Sequence, residues 1–125
     1  ILFPEVSFTL LDSIGKKIKV VNEVSTALGL KNVQAFHQRA EERKEKFDFV
    51  VSRAVTALPK FVSYVQNSFR QEINNALPNG ILYLKGGDFS GELKETHKDC
   101  SLYPVSDYFT EEFFETKHVV YIQMV

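Results

Sequence analysis

Short apolar runs alternate with stretches of helical period along these 125 residues, and that alternation limits the fold more than any other feature. Residues 7–11 read as a first strand. Ile14, Ile18, Val21, Val24 and Leu28 recur at helical spacing with Lys16, Lys17 and Lys19 between them, and Gly29 is placed to stop that helix. Residues 33–37 read as a second short strand, and RAEERKEK (39–46) as a charged turn or short helix. FDFVVSRA (47–54) contains a strongly apolar third strand. Pro59 suits the first turn of a helix whose apolar stripe is Leu58, Phe61, Val62, Val65 and Phe69. LPNG (77–80) is a turn, ILYLK (81–85) a fourth strand, and the loop GGDFSGE leads into a short helix through Glu92 to His97. Two last strands are expected near 102–108 and 119–124, joined by an acidic, aromatic segment at 109–116.

Strands alternating with helices imply an α/β fold: a mostly parallel sheet with helices on both faces. Two consecutive strands at the end imply an antiparallel carboxyl-terminal hairpin on one edge. Together these are the layout of a Rossmann-like methyltransferase, whereas dinucleotide dehydrogenases more often continue with further strand–helix units. Residues 1–125 are expected to form a single such domain. The first residue is not Met and the first element looks cut, so the chain is expected to be a fragment of a longer product, truncated at the amino end.

Composition excludes little. An apolar fraction of 44% and a charged fraction of 25% are those of an ordinary globular protein. Net charge is −1, from 15 basic and 16 acidic residues, which neither indicates nor excludes a nucleic-acid partner. The single Cys100 rules out an internal disulfide framework and a cysteine-only metal site, and fits a reducing cytosol. No apolar run approaches the roughly 20 residues of a membrane span, and no signal peptide is expected. His37, His97 and His118 are too scattered for a metal cluster, and HxxxH, CxxC and GxSxG spacings are absent, so neither a metalloenzyme nor a hydrolase is supported.

Ligands in open α/β sheets bind beyond the carboxyl ends of the strands. There the sequence places Asp12, then Gln38, Arg39, Ala40 and Glu41, then Ser52 and Arg53, then Lys85, Gly86 and Gly87. Their convergence on one rim is more specific than any one of them. Asp12 suits the hydroxyls of a ribose, and equally suits the cap of the helix starting near Ile14. Arg53 follows an apolar run that should be buried, so it must reach the rim or pair with a carboxylate. Glu41 alone is best explained as part of a solvated charge run. Lys85, followed by two glycines, fits an anionic ligand or a surface lysine before a turn, and Lys16 and Lys17 fit phosphate contacts or a solvated helix face.

The stretches FPEVSFTLLDSIGKKIKVVNEV, LKNV, RAEE, FDFVVSRAV, LKGG and KHVVYI, in that order, resemble the bacterial 16S ribosomal RNA methyltransferase G family (RsmG/GidB, glucose-inhibited division protein B). The resemblance implies a cytoplasmic enzyme that uses S-adenosyl-L-methionine, without a metal, to methylate the seven-position nitrogen of a guanine in 16S ribosomal RNA, free or in the small ribosomal subunit. It implies that Asp12 sits at the cofactor ribose, that Ala40 and Glu41 lie at the adenosine end, and that Arg53 belongs to the cofactor site. Lys16, Lys17, Arg39 and Lys85 match basic positions suited to RNA or to the rim. Lys117 stands where the family usually has Arg before His118, which puts bidentate arginine chemistry there in doubt while leaving an RNA contact as an expectation. The family's GTGGGFPG-like cofactor turn and the helical segment before it are expected ahead of Ile1, so the 125-residue chain is expected to be inactive by itself. Two other classes compete: a non-catalytic Rossmann-like module that binds a nucleotide or a protein, and a dinucleotide-dependent oxidoreductase.

Overall fold

The structure, a computed structural model, describes residues 1–125, which form two compact units, residues 1–43 and 44–125. The first contains strand β1 (Phe8–Asp12), helix α1 (Gly15–Ala27), strand β2 (Val33–His37) and a single 3-10 turn at Ala40–Glu42. β1 and β2 pair in parallel, in a register that sets Phe8 beside Val33 and Asp12 beside His37. α1 ends as its glycine predicts. Gly29 adopts φ 64°, its N–H donates to Thr26 O (3.0 Å), and the Leu30 N–H donates to Ser25 O (2.9 Å). These are the paired bonds of a Schellman motif, which needs a left-handed residue at that point.

The expected apolar stripe of α1 is only partly buried. Ile18 is covered, but Ile14, Val24 and Leu28 are 48%, 51% and 54% exposed. A two-stranded sheet is too narrow to cover a stripe more than 100° wide.

The second unit contains β3 (Phe49–Arg53), α2 (Leu58–Val65), β4 (Gly80–Gly86), α3 (Ser90–Glu95), β5 (Cys100–Pro104) and β6 (Lys117–Gln123), with 3-10 turns at Val105–Asp107 and Glu112–Phe114. The four strands run in the order β3-β4-β6-β5. β3 and β4 are parallel, and β6 is antiparallel to both β4 and β5. The terminal pair is therefore antiparallel as expected, but only β5 lies on the edge; β6 is inserted beside β4. Both strands start two residues before the expected positions, and β5 gives way at Pro104 to a 3-10 turn.

Nearly all the core belongs to this unit. Leu58, Phe61, Val62 and Val65 of α2 are buried with Ile81 and Tyr83 of β4, Val120, Tyr121 and Ile122 of β6, and Phe69 and Phe89. Burying each large apolar side chain is worth about 1.5–3 kcal/mol. Phe61 meets the Tyr83 ring edge-on, at 4.9 Å between centroids. Phe69 is buried as expected but lies beyond the end of α2. Its backbone instead bridges Phe47 in parallel, with the Phe47 N–H donating to Ser68 O (2.8 Å) and the Arg70 N–H to Phe47 O (3.0 Å). Gly80 is dictated by packing, since a Cβ there would lie 2.2 Å from the Ile122 carbonyl oxygen. The FVV run is less buried than its composition suggests: β3 is an edge strand and Val51 is 62% exposed.

Candidate functional site

In the first unit the candidate residues gather at the carboxyl end of the parallel pair. Asp12 ends β1 beside His37, and its backbone carbonyl accepts the Gln38 N–H (3.1 Å), so the segment carrying Arg39, Ala40 and Glu41 leaves β2 next to it. Asp12 Oδ1 accepts the Ile14 N–H (2.8 Å), and Oδ2 lies 3.7 Å from Lys17 Nζ. Asp12 is therefore not the cap of α1, whose N-cap position is Ile14 with no side-chain cap bond; it instead forms an Asx turn that begins three residues before the helix and shapes its entry. The same carboxylate keeps acceptor capacity on Oδ2, because a carboxylate offers about four lone-pair sites.

His37 is a residue whose role sequence reasoning missed. Its Nε2 lies 3.0 Å from the Ser13 carbonyl oxygen, and a Cβ on Gly15 would meet its Nδ1 at 3.3 Å. It thus braces the turn that follows Asp12. The only signal in the sequence was its position at the end of β2. Lys16, Arg39 and Glu41 are exposed and Ala40 is half-buried. Arg43 places its guanidinium 4.2 Å over the Phe36 ring.

In the second unit Arg53 ends β3 beside Leu84, one residue before Lys85, and Lys117 of β6 pairs with Gly86. Arg53, Lys85 and Lys117 therefore share one end of this sheet. Their environments differ. Arg53 is exposed at the end of an edge strand, so of the two alternatives it reaches the rim rather than pairing with a carboxylate. Lys85 is engaged: Nζ contacts Glu92 Oε2 (2.7 Å) and Oε1 (2.8 Å), with its side chain only 16% exposed. Glu92 Oε2 also accepts the Leu58 N–H (2.6 Å). Burial pushes the Glu92 carboxyl up, but the Lys85 hydrogen bond, the Leu58 N–H and the Lys85 charge outweigh it and hold the group below the usual range. Lys117 lies over the Phe113 ring, 4.8 Å from its centroid, and across Gly86, where a Cβ would be 2.7 Å from Nζ. Gly86 thus makes room for Lys117, while Gly87 supplies a left-handed φ of 73°.

No group of three or more His, Cys, Asp or Glu side chains is arranged to hold a metal, and no helix is long and apolar enough to cross a membrane. The sheet end of the first unit offers a carboxylate after β1 and a polar turn after β2, which suit a ligand with hydroxyl donors. The sheet end of the second offers a basic cluster after β3 and β4, which suits an anionic group.

The chain is similar to methyltransferases in sequence and in fold. The ribosomal RNA small subunit methyltransferase G of Christiangramia forsetii is 54% identical over 124 residues, spanning 99% of this chain and 58% of the relative. That of Bacteroides thetaiotaomicron is 49% identical over 124 residues, spanning 99% and 60%. The chain thus spans less than two thirds of the length of these curated relatives. Among solved structures, an rRNA methylase from Streptococcus thermophilus superposes with a TM-score of 0.62 at 9% identity, over 95% of this chain and 74% of that one. A mutant of MtNAS in complex with S-adenosylmethionine superposes with a TM-score of 0.61 at 10% identity, over 94% and 45%. At such identities the likeness shows the fold alone, and that fold is Rossmann-like. The family model described as rRNA small subunit methyltransferase G matches residues 1–120. With a strand-end acid, the polar turn after β2 and the ordered motifs all in place, this chain belongs to the rRNA small subunit methyltransferase G family.

Proposed function

We propose that the protein transfers a methyl group from S-adenosyl-L-methionine to the seven-position nitrogen of a guanine in 16S ribosomal RNA, in the cytoplasm. The observation that carries this reading is Asp12: a carboxylate at the carboxyl end of a parallel strand, with Oδ1 taken by the Ile14 N–H and Oδ2, 3.7 Å from Lys17 Nζ, keeping acceptor capacity for hydroxyl donors. That donor set fits the cofactor's ribose. The exposed Arg53 guanidinium fits the carboxylate of the cofactor's amino-acid end, which planar paired N–H groups recognise well. Residues 1–125 act in this reading as one Rossmann-like domain, supported by fold matches that extend over 95% of the chain.

When bound, the cofactor supplies an electrophilic sulfonium methyl. The tasks left to the protein are binding and alignment. In the first unit Asp12 orients the ribose and the turn at Ala40 and Glu41 borders the adenosine; in the second, Arg53 serves as a cofactor-binding residue. The guanine nitrogen has an in-plane lone pair and no proton to lose, so no general base is required of this chain. Alignment of nitrogen, methyl carbon and sulfur then provides most of the acceleration. Lys16, Lys17, Arg39 and Lys117 supply exposed or half-buried cations for the RNA backbone.

Titration calorimetry with S-adenosylmethionine and a methyl-transfer assay on small-subunit RNA test this reading. Full-length protein carrying these residues is expected to bind and to transfer. Arg53→Ala is expected to abolish transfer with the fold intact, and unchanged transfer would refute the assignment. The 125-residue chain alone is expected to bind weakly, because β1 and β3 each have an unpaired sheet edge and no glycine-rich cofactor turn occurs within it. Tight binding by that chain would overturn this last expectation.

A further inference from the structure

The segment following Arg53 is held in an unusual way. Ala54 adopts φ 53°, a left-handed conformation that non-glycine residues rarely occupy without external support. The support comes from three side chains. The Tyr83 hydroxyl, on a residue that is 1% exposed, donates to Thr56 O (2.8 Å) and accepts from the N–H groups of Val55 (3.2 Å) and Thr56 (3.3 Å). Two residues on, Glu92 Oε2 takes the Leu58 N–H at the start of α2. Lys85, two residues after Tyr83 and on the same face of β4, neutralises Glu92 and lies 5.6 Å from the Tyr83 ring centroid. A buried hydroxyl whose donor and acceptor capacity is all satisfied by one loop holds that loop in a single conformation.

We propose that Tyr83, Glu92 and Lys85 form a clamp that sets the conformation of residues 54–58 and thereby the direction in which Arg53 presents its guanidinium to the cofactor. All three are positioning residues. Lys85 neutralises Glu92 and does not contact RNA, which departs from the role its family position implies. The inference rests on the reading of Arg53 as a cofactor residue.

The test uses full-length protein carrying these residues. Tyr83→Phe removes the hydroxyl and keeps the ring that packs on Phe61. Amide exchange at Val55 and Thr56 is expected to accelerate about tenfold, with Ile81 and Ile122 in the sheet unchanged. The Kd for S-adenosylmethionine is expected to rise about tenfold, and to rise no further when Tyr83→Phe is added to Arg53→Ala, because the clamp acts through that arginine. Lys85→Met is the second variant, and it decides the matter if Tyr83→Phe does not fold. A clamp raises KM for the cofactor and leaves KM for RNA unmoved; an RNA contact does the reverse and overturns the proposal. Unchanged exchange at Val55 and Thr56 overturns it as well, as does unchanged cofactor affinity in a protein whose loop has been freed. If Arg53→Ala alone leaves cofactor affinity intact, the reading of Arg53 falls and its positioning falls with it, while the exchange measurements still report separately whether the three side chains hold the loop.

Discussion

Substitution of Asp12 separates its two roles, because they draw on different atoms. The helix-entry role uses Oδ1, which accepts the Ile14 N–H at 2.8 Å. A single such bond contributes about 1 kcal/mol. The ion pair with Lys17 spans 3.7 Å between side chains 63% and 32% exposed, so it adds only about 0.5 kcal/mol or less. Asp12→Asn keeps a carbonyl oxygen in place of Oδ1 and is expected to cost no more than about 0.5 kcal/mol. Asp12→Ala removes both interactions and is expected to cost about 1 kcal/mol, or roughly 3–5 °C in Tm. The ribose role scales differently. A hydrogen bond to a charged group is worth about 1.5–3 kcal/mol, so both substitutions are expected to weaken S-adenosylmethionine binding by roughly tenfold to a hundredfold. Denaturant unfolding measures the first quantity and calorimetry on full-length protein the second. The decisive variant is Asp12→Asn. Near-normal stability with a large loss of affinity is the expected pattern. Normal affinity in Asp12→Asn would show that Asp12 serves only the helix.

Two glycines in β4 should respond differently to alanine. At Gly80 the new Cβ meets the Ile122 carbonyl at 2.2 Å, which is backbone and cannot yield, so a loss of about 2–3 kcal/mol in urea unfolding is expected. At Gly86 it meets the end of the flexible Lys117 side chain, so stability should change by less than about 1 kcal/mol while Lys117 is displaced, read as a raised KM for RNA. The Glu92 carboxyl is held below its usual 4.5 in the folded protein, so its contribution to stability is present above that value and is lost as pH falls through the lower folded one. Glu92→Gln is therefore expected to flatten the acid limb of the stability–pH curve below about pH 4.5 relative to wild type. An unchanged acid limb would contradict the Lys85–Glu92 geometry.

Much of this was legible in residue order. The glycine that stops α1, the proline in the first turn of α2 and the apolar stripe of that helix as far as Val65 read correctly because each depends on local chemistry: a left-handed φ, a fixed φ, a 3.6-residue period; Phe69 was buried but outside the helix. The ordered motifs pointed to the family by resemblance, which residue order alone carries. Burial was less legible. The α1 stripe and the FVV run look equally destined for a core, but exposure depends on how many strands lie beside them, and periodicity carries no count of neighbours. Strand position was likewise hidden: nothing in KHVVYIQ says that β6 enters between β4 and β5 rather than outside them.

Residue types at strand ends sufficed to nominate Asp12, Arg53 and Lys85, since acids and bases beyond buried runs need a reason to be there. Their partners lay in the tertiary structure. Asp12 turned out to shape the entry of α1 while keeping acceptor capacity on the oxygen that faces Lys17, Arg53 to stand free at an edge, and Lys85 to be spent on Glu92 seven residues away. Sequence alone determined which chemistry the chain carries, because side-chain type and local period are properties of the order of residues. Only the folded chain decided which of those groups are available, because availability is set by contacts such as Tyr83 with Thr56, 27 residues apart, that no local pattern records.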